Sequence, residues 1–292
     1  MKKTNGERIF NIFNVIILGT IGLVCLYPML YVLFASLSDS SQLMAHDGIL
    51  LKPIGFTIAS YKKVLSNSMV FIGYRNTLFV LIVGVTINMV LTTLGAYFLS
   101  RKDVLFRNVI MGIMIFTMYF SGGLIPTYMV VKSIGLDNSL WALILPVAVS
   151  TYNLIIMRTG FASVPESLHE AAVVDGANEL TILVRVYMPL VKATFAVIVL
   201  YYAVTNWNSW FSAAIYLNDR NKFPIQLVLR EILISNDVNS MNDAAGSAKD
   251  AESVAMSIKY ATIMVATLPI LAVYPFVQKY FVGGIMIGSV KG

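Results

Sequence analysis

RTGFASVPESLHEAAVVDGANELTILVRVYMPLVK, residues 158–192, is a charged segment set between two long windows that carry no charge at all. It holds the acids Glu166, Glu170, Asp175 and Glu179. The window before it, 138–157, has 20 residues, and the window after it, 193–218, has 26. Working outward, four more such windows appear: 9–38 (30 residues), 76–100 (25), 108–131 (24) and 260–278 (19). A spanning helix needs roughly 17–25 largely apolar residues. Barrel strands would instead alternate apolar and polar residues over about 10 positions, and these windows are continuously apolar. The pattern therefore predicts an all-α membrane protein forming one transmembrane domain over 1–292. The expected spans are approximately 10–36, 76–100, 108–131, 138–158, 192–218 and 260–280. Loop 159–190 lies on one side of the membrane, with loops 39–75 and 219–259 on the other.

Composition agrees. Of 292 residues, 58% are hydrophobic and 12% charged, with a formal net charge of +6. That excludes a soluble globular enzyme, a disordered chain and a collagen-like chain. The basic residues are scattered and form no stripe, which argues against nucleic-acid binding. One cysteine, Cys25, and two histidines, His46 and His169, leave no disulfide framework and no metal cluster to expect. Cys25 reads as a small core residue, His46 as an exposed loop residue and His169 as a helix-surface residue.

Sidedness follows from Lys and Arg in short loops. Lys2, Lys3 and Arg8 precede the first window, and Arg101, Lys102 and Arg107 lie in the second loop, against Lys132 alone in the third. Both termini and loop 159–190 are therefore expected in the cytoplasm. The first window is too long for a signal-peptide core and is read as a retained helix. Pro28, Pro126 beside Gly122-Gly123, Pro146, Pro269 and Pro275 are expected to kink their helices. Such kinks are ordinary in membrane helices, or they shape a pathway.

Within 159–190, Pro165 suits the start of a helix, and Glu166 and Glu170 lie near its positive N-terminal end. Leu168, Ala171 and Ala172 form a small apolar stripe, and Gly176 stands where a left-handed cap would end the helix. A second amphipathic helix is expected from about Asn178, with Pro189 at its exit. The unit is helix, turn, helix.

Glu170-Ala171-Ala172, three residues, Gly176, nine residues, then Val186-Tyr187-Met188-Pro189 resembles the EAA loop of permease subunits in binding-protein-dependent ABC importers. Val186 and Met188 replace the family's Ile and Leu, and Asp175 before Gly176 also fits. The stretch from Gly123 to Pro146, the run Asn206-Trp207-Asn208 and the tail Gly288-Ser289-Val290-Lys291-Gly292 extend the resemblance over essentially the whole chain. It is to the maltose-type (MalG-like) carbohydrate permeases, and among them to the LplC/YtcP-like oligosaccharide and polysaccharide permeases.

The resemblance implies a type I ABC importer transmembrane domain in a bacterial plasma membrane, a transporter subunit and not an enzyme. It implies a second, homologous permease subunit, two ATPase subunits and an extracytoplasmic solute-binding protein as partners. ATP and Mg are then held by the ATPases, with no cofactor in this chain. Glu170, Ala171, Ala172, Asp175, Gly176 and Pro189 become candidate ATPase-coupling residues. Small alanines allow close approach, and Glu170 can form a charge-assisted hydrogen bond. Asn206, Trp207, Asn208 and Trp210 become candidates for the substrate pathway, against an aromatic belt or core packing as the plain alternative. Loop 219–259, with a polar centre near 235–250, is expected to meet the solute-binding protein, and loop 39–75 to be a second docking surface. The chain carries no G-x-x-x-x-G-K-[ST] phosphate loop and no acidic or basic residue inside its windows, where an ion-coupled carrier often places one. An ion-coupled secondary transporter or facilitator is the competing class, and a non-transport scaffold a third.

Overall fold

Thr4 opens the first helix with a capping box. Its hydroxyl accepts from the Glu7 amide at 3.4 Å, and the Glu7 carboxylate accepts from the Thr4 amide at 2.9 Å. The computed structural model describes residues 4–234, 256–272 and 275. Helix α1 runs Asn5–Ser36, with Pro28 inside it. Its apolar window has a mean hydropathy of 2.3, and none of that window is buried among the described residues. Cys25 is exposed on it, so it is not the core residue expected.

Two short helices follow, α2 (Ser40–Met44) and α3 (Ala59–Ser66). Asp39 caps α2 by accepting from the Ser41 and Gln42 amides at 3.1 and 3.2 Å. Ala35, Leu43 and Leu50 form a small core with Tyr31, Phe34, Ile54 and Tyr260 around it.

Helix α4 (Ser68–Ser100) is 33 residues long and unbroken. The next windows are divided. Helices α5 (Arg107–Tyr119) and α6 (Leu124–Ser133) meet at 113°. The break falls on Gly122-Gly123, and Gly123 takes φ +88°, a conformation that glycine adopts without steric cost. The fourth window opens with two short 3₁₀ turns, Leu140–Leu143 and Leu145–Val147, then bends by 49° into α7 (Thr151–Ala162). Helices α8 (Glu166–Val174) and α9 (Glu179–Ile182) follow, then a π-helical turn at Leu183–Tyr187 and α10 (Met188–Leu190). The chain turns by 90° into α11 (Lys192–Trp207). The fifth window does not continue as one helix to 218. It stops at Trp207 and resumes as α12 (Trp210–Tyr216), with the Asn208 amide group donating to the Val204 carbonyl at 3.0 Å. Such local side-chain bonds compete with the helix ladder. After a 3₁₀ turn at Arg220–Lys222 come α13 (Ile225–Ile234) and α14 (Met256–Ala272).

Among the described residues no strand occurs. Two helices among the described residues, α1 and α4, are long and apolar enough to cross a membrane, and each of three bent pairs passes the same test taken together. The chain sorts into two compact units, Met1–Ser68 with Leu229–Pro269, and Met69–Val228 with Ile270–Gly292. The polar centre 235–250 and the tail 288–292 lie outside the described residues.

Within the second unit α4 buries a polar stripe. The Asn76 amide donates to the Asn221 and Phe223 carbonyls at 2.8 and 3.1 Å, and the Thr77 hydroxyl accepts from the Ile225 amide at 2.8 Å. Further along, the Asn88 amide donates to the Val147 and Ala148 carbonyls at 3.0 and 2.9 Å. These are carbonyls that the broken fourth window leaves without a helical partner. Irregular backbone at membrane depth is tolerated where the protein itself satisfies it, and Asn88 does so here.

Candidate functional site

The loop 159–190 is built by local chemistry and then pinned by packing. Pro165 flanks α8 in an extended conformation instead of occupying its first turn. Glu166 begins the helix and pairs with Lys102 at 2.8 Å, which holds its carboxyl below the usual carboxylate range. The helix ends in a Schellman motif: Gly176 N–H donates to the Val173 carbonyl at 2.9 Å and Ala177 N–H to the Ala172 carbonyl at 3.0 Å. Gly176 has φ +79°. Asn178 caps the next helix, accepting from the Thr181 amide at 2.8 Å. The π turn ends just before Pro189, which has no N–H to continue a regular ladder.

Tyr97 at the end of α4, Phe161 at the end of α7 and Tyr187 in the π turn meet edge to face, with ring centroids 5.1–6.0 Å apart. Ile182 and Leu183 are buried in the same core. The Tyr97 hydroxyl donates to Glu179 Oε2 at 2.5 Å, and the Arg158 guanidinium donates to the Leu99 carbonyl at 3.0 Å. His169 is not on the helix surface as its position suggested. It is 4% exposed, its ring lies 6.2 Å from that of Tyr187, and its Nε2 is 3.7 Å from Glu179 Oε1. The inner face of α8 is therefore His169 and the half-buried Ala172, spaced i and i+3, rather than the stripe Leu168-Ala171-Ala172.

Turning that face inward leaves Glu170, Ala171, Asp175 and Gly176 at the surface, with Pro189 also exposed. Beside them stand Val173 and Val174, the latter 86% exposed. The outer surface is a small acidic and apolar patch on a firmly seated support. Five of the six candidate coupling residues lie open, and Ala172 is the one that packs inward. Tyr97 went unrecognised in the sequence, and Glu179 and Tyr187 were noted there without this role. Tyr97 and Tyr187 are tyrosines bordering charged segments, which marks nothing by itself.

The second group of candidates lies elsewhere in the same unit. Asn206 is buried, and its amide donates to Asn88 Oδ1 at 3.0 Å. Trp207 is 6% exposed, packs on Tyr74 at 6.4 Å, and buries Nε1 without a hydrogen-bond partner among the described residues. Trp207 is thus part of the interior and not of a lipid-facing belt. Asn208 is exposed, and Trp210 is half-buried against Phe211. Of the four, Asn206 alone borders a cleft of about 660 Å³ formed at the break between Pro146 and Ser150 and by one face of α11. Its lining has no charge and offers tyrosines, hydroxyls and amides, among them Tyr152, Asn153, Tyr201, Tyr202 and Thr205.

This arrangement of broken apolar helices with an externally seated helical loop has counterparts. Residues 8–286 match the family model described as binding-protein-dependent transport system inner membrane component. The chain belongs to this family. It is 40% identical to protein LplC of Bacillus subtilis over 292 residues, covering 100% of this chain and 98% of that protein. It is also 40% identical to the polygalacturonan/rhamnogalacturonan transport system permease protein YtcP of Bacillus subtilis over 284 residues, covering 96% and 99%. Among solved structures it is similar to a bacterial ABC transporter involved in the import of the acidic polysaccharide alginate. The TM-score is 0.86, with 32% sequence identity, over 96% of this chain and 99% of that one. Membership makes the chain an inner-membrane transport component and not itself an enzyme.

Proposed function

We propose that the chain is a permease subunit of a binding-protein-dependent ABC importer that carries an oligosaccharide or glycan fragment across the plasma membrane, driven by ATP hydrolysis in partner subunits. The chain would contribute six spans, with both termini and loop 159–190 in the cytoplasm. A second permease subunit, two ATPase subunits holding ATP and Mg, and an extracytoplasmic solute-binding protein would complete the complex. The observation that carries this reading is the loop: Glu170, Ala171, Val174 and Asp175 present an outward face, while His169, Ile182, Leu183 and Tyr187 seat the other side in the core.

The energetics suit a lever. Swinging a two-state element from 1:99 to 99:1 takes about 5.5 kcal/mol of differential binding, whereas a surface ion pair contributes roughly 0–1 kcal/mol. Glu170 alone cannot throw such a switch. A packed loop can transmit the free energy of nucleotide binding elsewhere. The uncharged cleft beside Asn206 is compatible with sugar: tyrosine rings offer faces for pyranose stacking, and the exposed Tyr152 and Thr205 offer hydroxyls to sugar hydroxyls. The carbohydrate class is supported by relatives whose substrates are polygalacturonan/rhamnogalacturonan and alginate.

Co-purification with an ATPase subunit, and uptake that stops when that ATPase is inactivated, tests the reading. Uptake that survives ATPase loss but collapses with the ion gradient would replace it with a secondary transporter.

A further inference from the structure

We propose that Tyr97 is a positioning residue for the transport cycle: it ties the loop 159–190 to α4, so that displacement of the loop is carried along α4 to the cleft beside Asn206. The inference rests on the reading of that loop as the surface an ATPase grips.

Peptide bonds join the loop to α7 and α11. Nothing covalent joins it to α4; besides the exposed Lys102–Glu166 pair just past the helix end and the apolar packing of Ala96 and Leu99, Tyr97 makes a polar link from within the helix. Its hydroxyl donates to Glu179 Oε2, 82 residues further along the chain. Its ring packs on Tyr187 of the π turn and Phe161 of α7. The other oxygen of Glu179 faces His169 Nε2 at 3.7 Å. One side chain of α4 thus reaches α9 directly and α8 through the shared carboxylate.

Nine residues before Tyr97 on the same helix stands Asn88. It donates to the carbonyls of Val147 and Ala148 and accepts from Asn206. All three partners except Ala148 line the cleft. The separation along the axis is roughly 14 Å at 1.5 Å per residue, and α4 contains no proline and no break between the two points. The direct routes are bent. The segment before α7 bends by 49°, and the loop meets α11 at 90°. α4, by contrast, runs through both points without interruption. Coupling of this kind needs contiguous packed elements with discrete arrangements, and the Tyr97–Glu179 bond is where the loop enters one.

The test uses the full complex, with its ATPase and partner permease, in proteoliposomes. In a Cys25→Ser background, Thr205→Cys puts a thiol in the cleft wall. Its maleimide labelling rate is compared with and without ATP plus vanadate. Tyr97→Phe, which removes one hydroxyl and keeps the ring, is expected to shrink the nucleotide-dependent change roughly fivefold or more, while ATPase co-purification and basal hydrolysis persist. Glu179→Gln keeps an acceptor and should retain most of the response, whereas Glu179→Ala, at an exposed position, should lose it. An unchanged response in Tyr97→Phe, or in Glu179→Ala should the Phe variant fail to assemble, overturns the proposal. Absence of ATPase from the parent complex, or of any nucleotide response with Tyr97 intact, instead overturns the reading on which it rests.

Discussion

Asn206 on α11 and Asn88 on α4, 118 residues apart, are joined by a buried side-chain hydrogen bond of 3.0 Å, and Gly84 is the residue that lets them meet. A Cβ at position 84 would stand 2.9 Å from Asn206 Nδ2. Since Asn88 also satisfies the Val147 and Ala148 carbonyls, displacing Asn206 disturbs the polar junction that closes the broken fourth window.

Gly84→Ala is therefore expected to destabilise the complex by about 1–3 kcal/mol, the cost of unsatisfied buried polar groups, and to lower uptake. Thermal unfolding of the detergent-solubilised complex checks this. The same substitution at Gly112, inside α5 where nothing lies within 4 Å, is the control and should not lower the midpoint, since Ala favours a helix interior over Gly.

Trp207 was a candidate sugar contact in the sequence, but its burial changes what its removal should do. Trp207→Ala is expected to cost about 3–5 kcal/mol, as for other large core truncations, with expression and uptake falling together. Trp207→Phe keeps most of the packing against Tyr74 and lacks the unpartnered Nε1, so it should keep expression near the parent level. Uptake that falls in Trp207→Phe at normal expression would return the residue to the sugar pathway.

At Gly176 the cost is conformational alone. A Cβ there meets nothing within 4 Å, yet φ is +79°. A residue with a side chain pays roughly 1–2 kcal/mol in the left-handed region, with Asn tolerated best. Gly176→Val should lower transport-linked ATP hydrolysis more than Gly176→Asn, and Gly176→Pro more than either, with membrane insertion retained in all three. Equal coupled turnover across the series would show that the Schellman cap does not set the loop's shape.

What could be read from the chain was what local chemistry decides. Charge-free windows mark apolar helices because charge is costly in lipid. Gly176 was visible as a cap, and Asn178 as the start of a helix, because helix ends depend on a few adjacent residues. Pro126 and Pro146 marked windows that do break, whereas Pro28 and Pro269 lie inside continuous helices. What escaped was set by distant partners. His169 is buried because the π turn, 14 to 18 residues later, folds Tyr187 onto it. The end of α11 at Trp207 carries no proline or glycine to announce it. Asn76 and Asn88 did carry a signal, since amides inside an apolar window ask for internal partners, but the partners themselves, Asn221, Phe223, Val147 and Ala148, follow only from the fold.

The Lys102–Glu166 pair should show a pH dependence of known sign. Lys102 holds the Glu166 carboxyl below its ordinary range, so the folded state favours the ionised form. Its contribution is present above the unfolded carboxylate range and fades as pH falls through the lower folded value. The pair is exposed and its worth small. Comparing unfolding midpoints of the parent and Lys102→Gln, the difference should be present at neutral pH, shrink as the solution is acidified past the carboxylate range, and weaken in high salt. A difference that grows on acidification would contradict the assignment.

Glu170 gives the sharpest test of the outer face, because it separates recognition from folding. Its side chain is exposed on α8, and the buried anchors of that helix, His169 and Ala172, stand on the opposite side. Glu170→Lys should therefore leave insertion and thermal stability within about 0.5 kcal/mol of the parent, as for surface substitutions generally. If an ATPase groove meets this face, reversing the charge turns an attraction into a repulsion. Co-purification of the ATPase and transport-linked hydrolysis should then both fall, by roughly tenfold or more for a charge-assisted contact. Glu170→Gln, which retains an acceptor, should fall between. A complementary lysine-to-glutamate change on the ATPase that restores Glu170→Lys, and leaves Glu170→Gln unimproved, would assign the loss to that contact. Full assembly and coupled turnover in Glu170→Lys would mean that α8 faces something other than the motor.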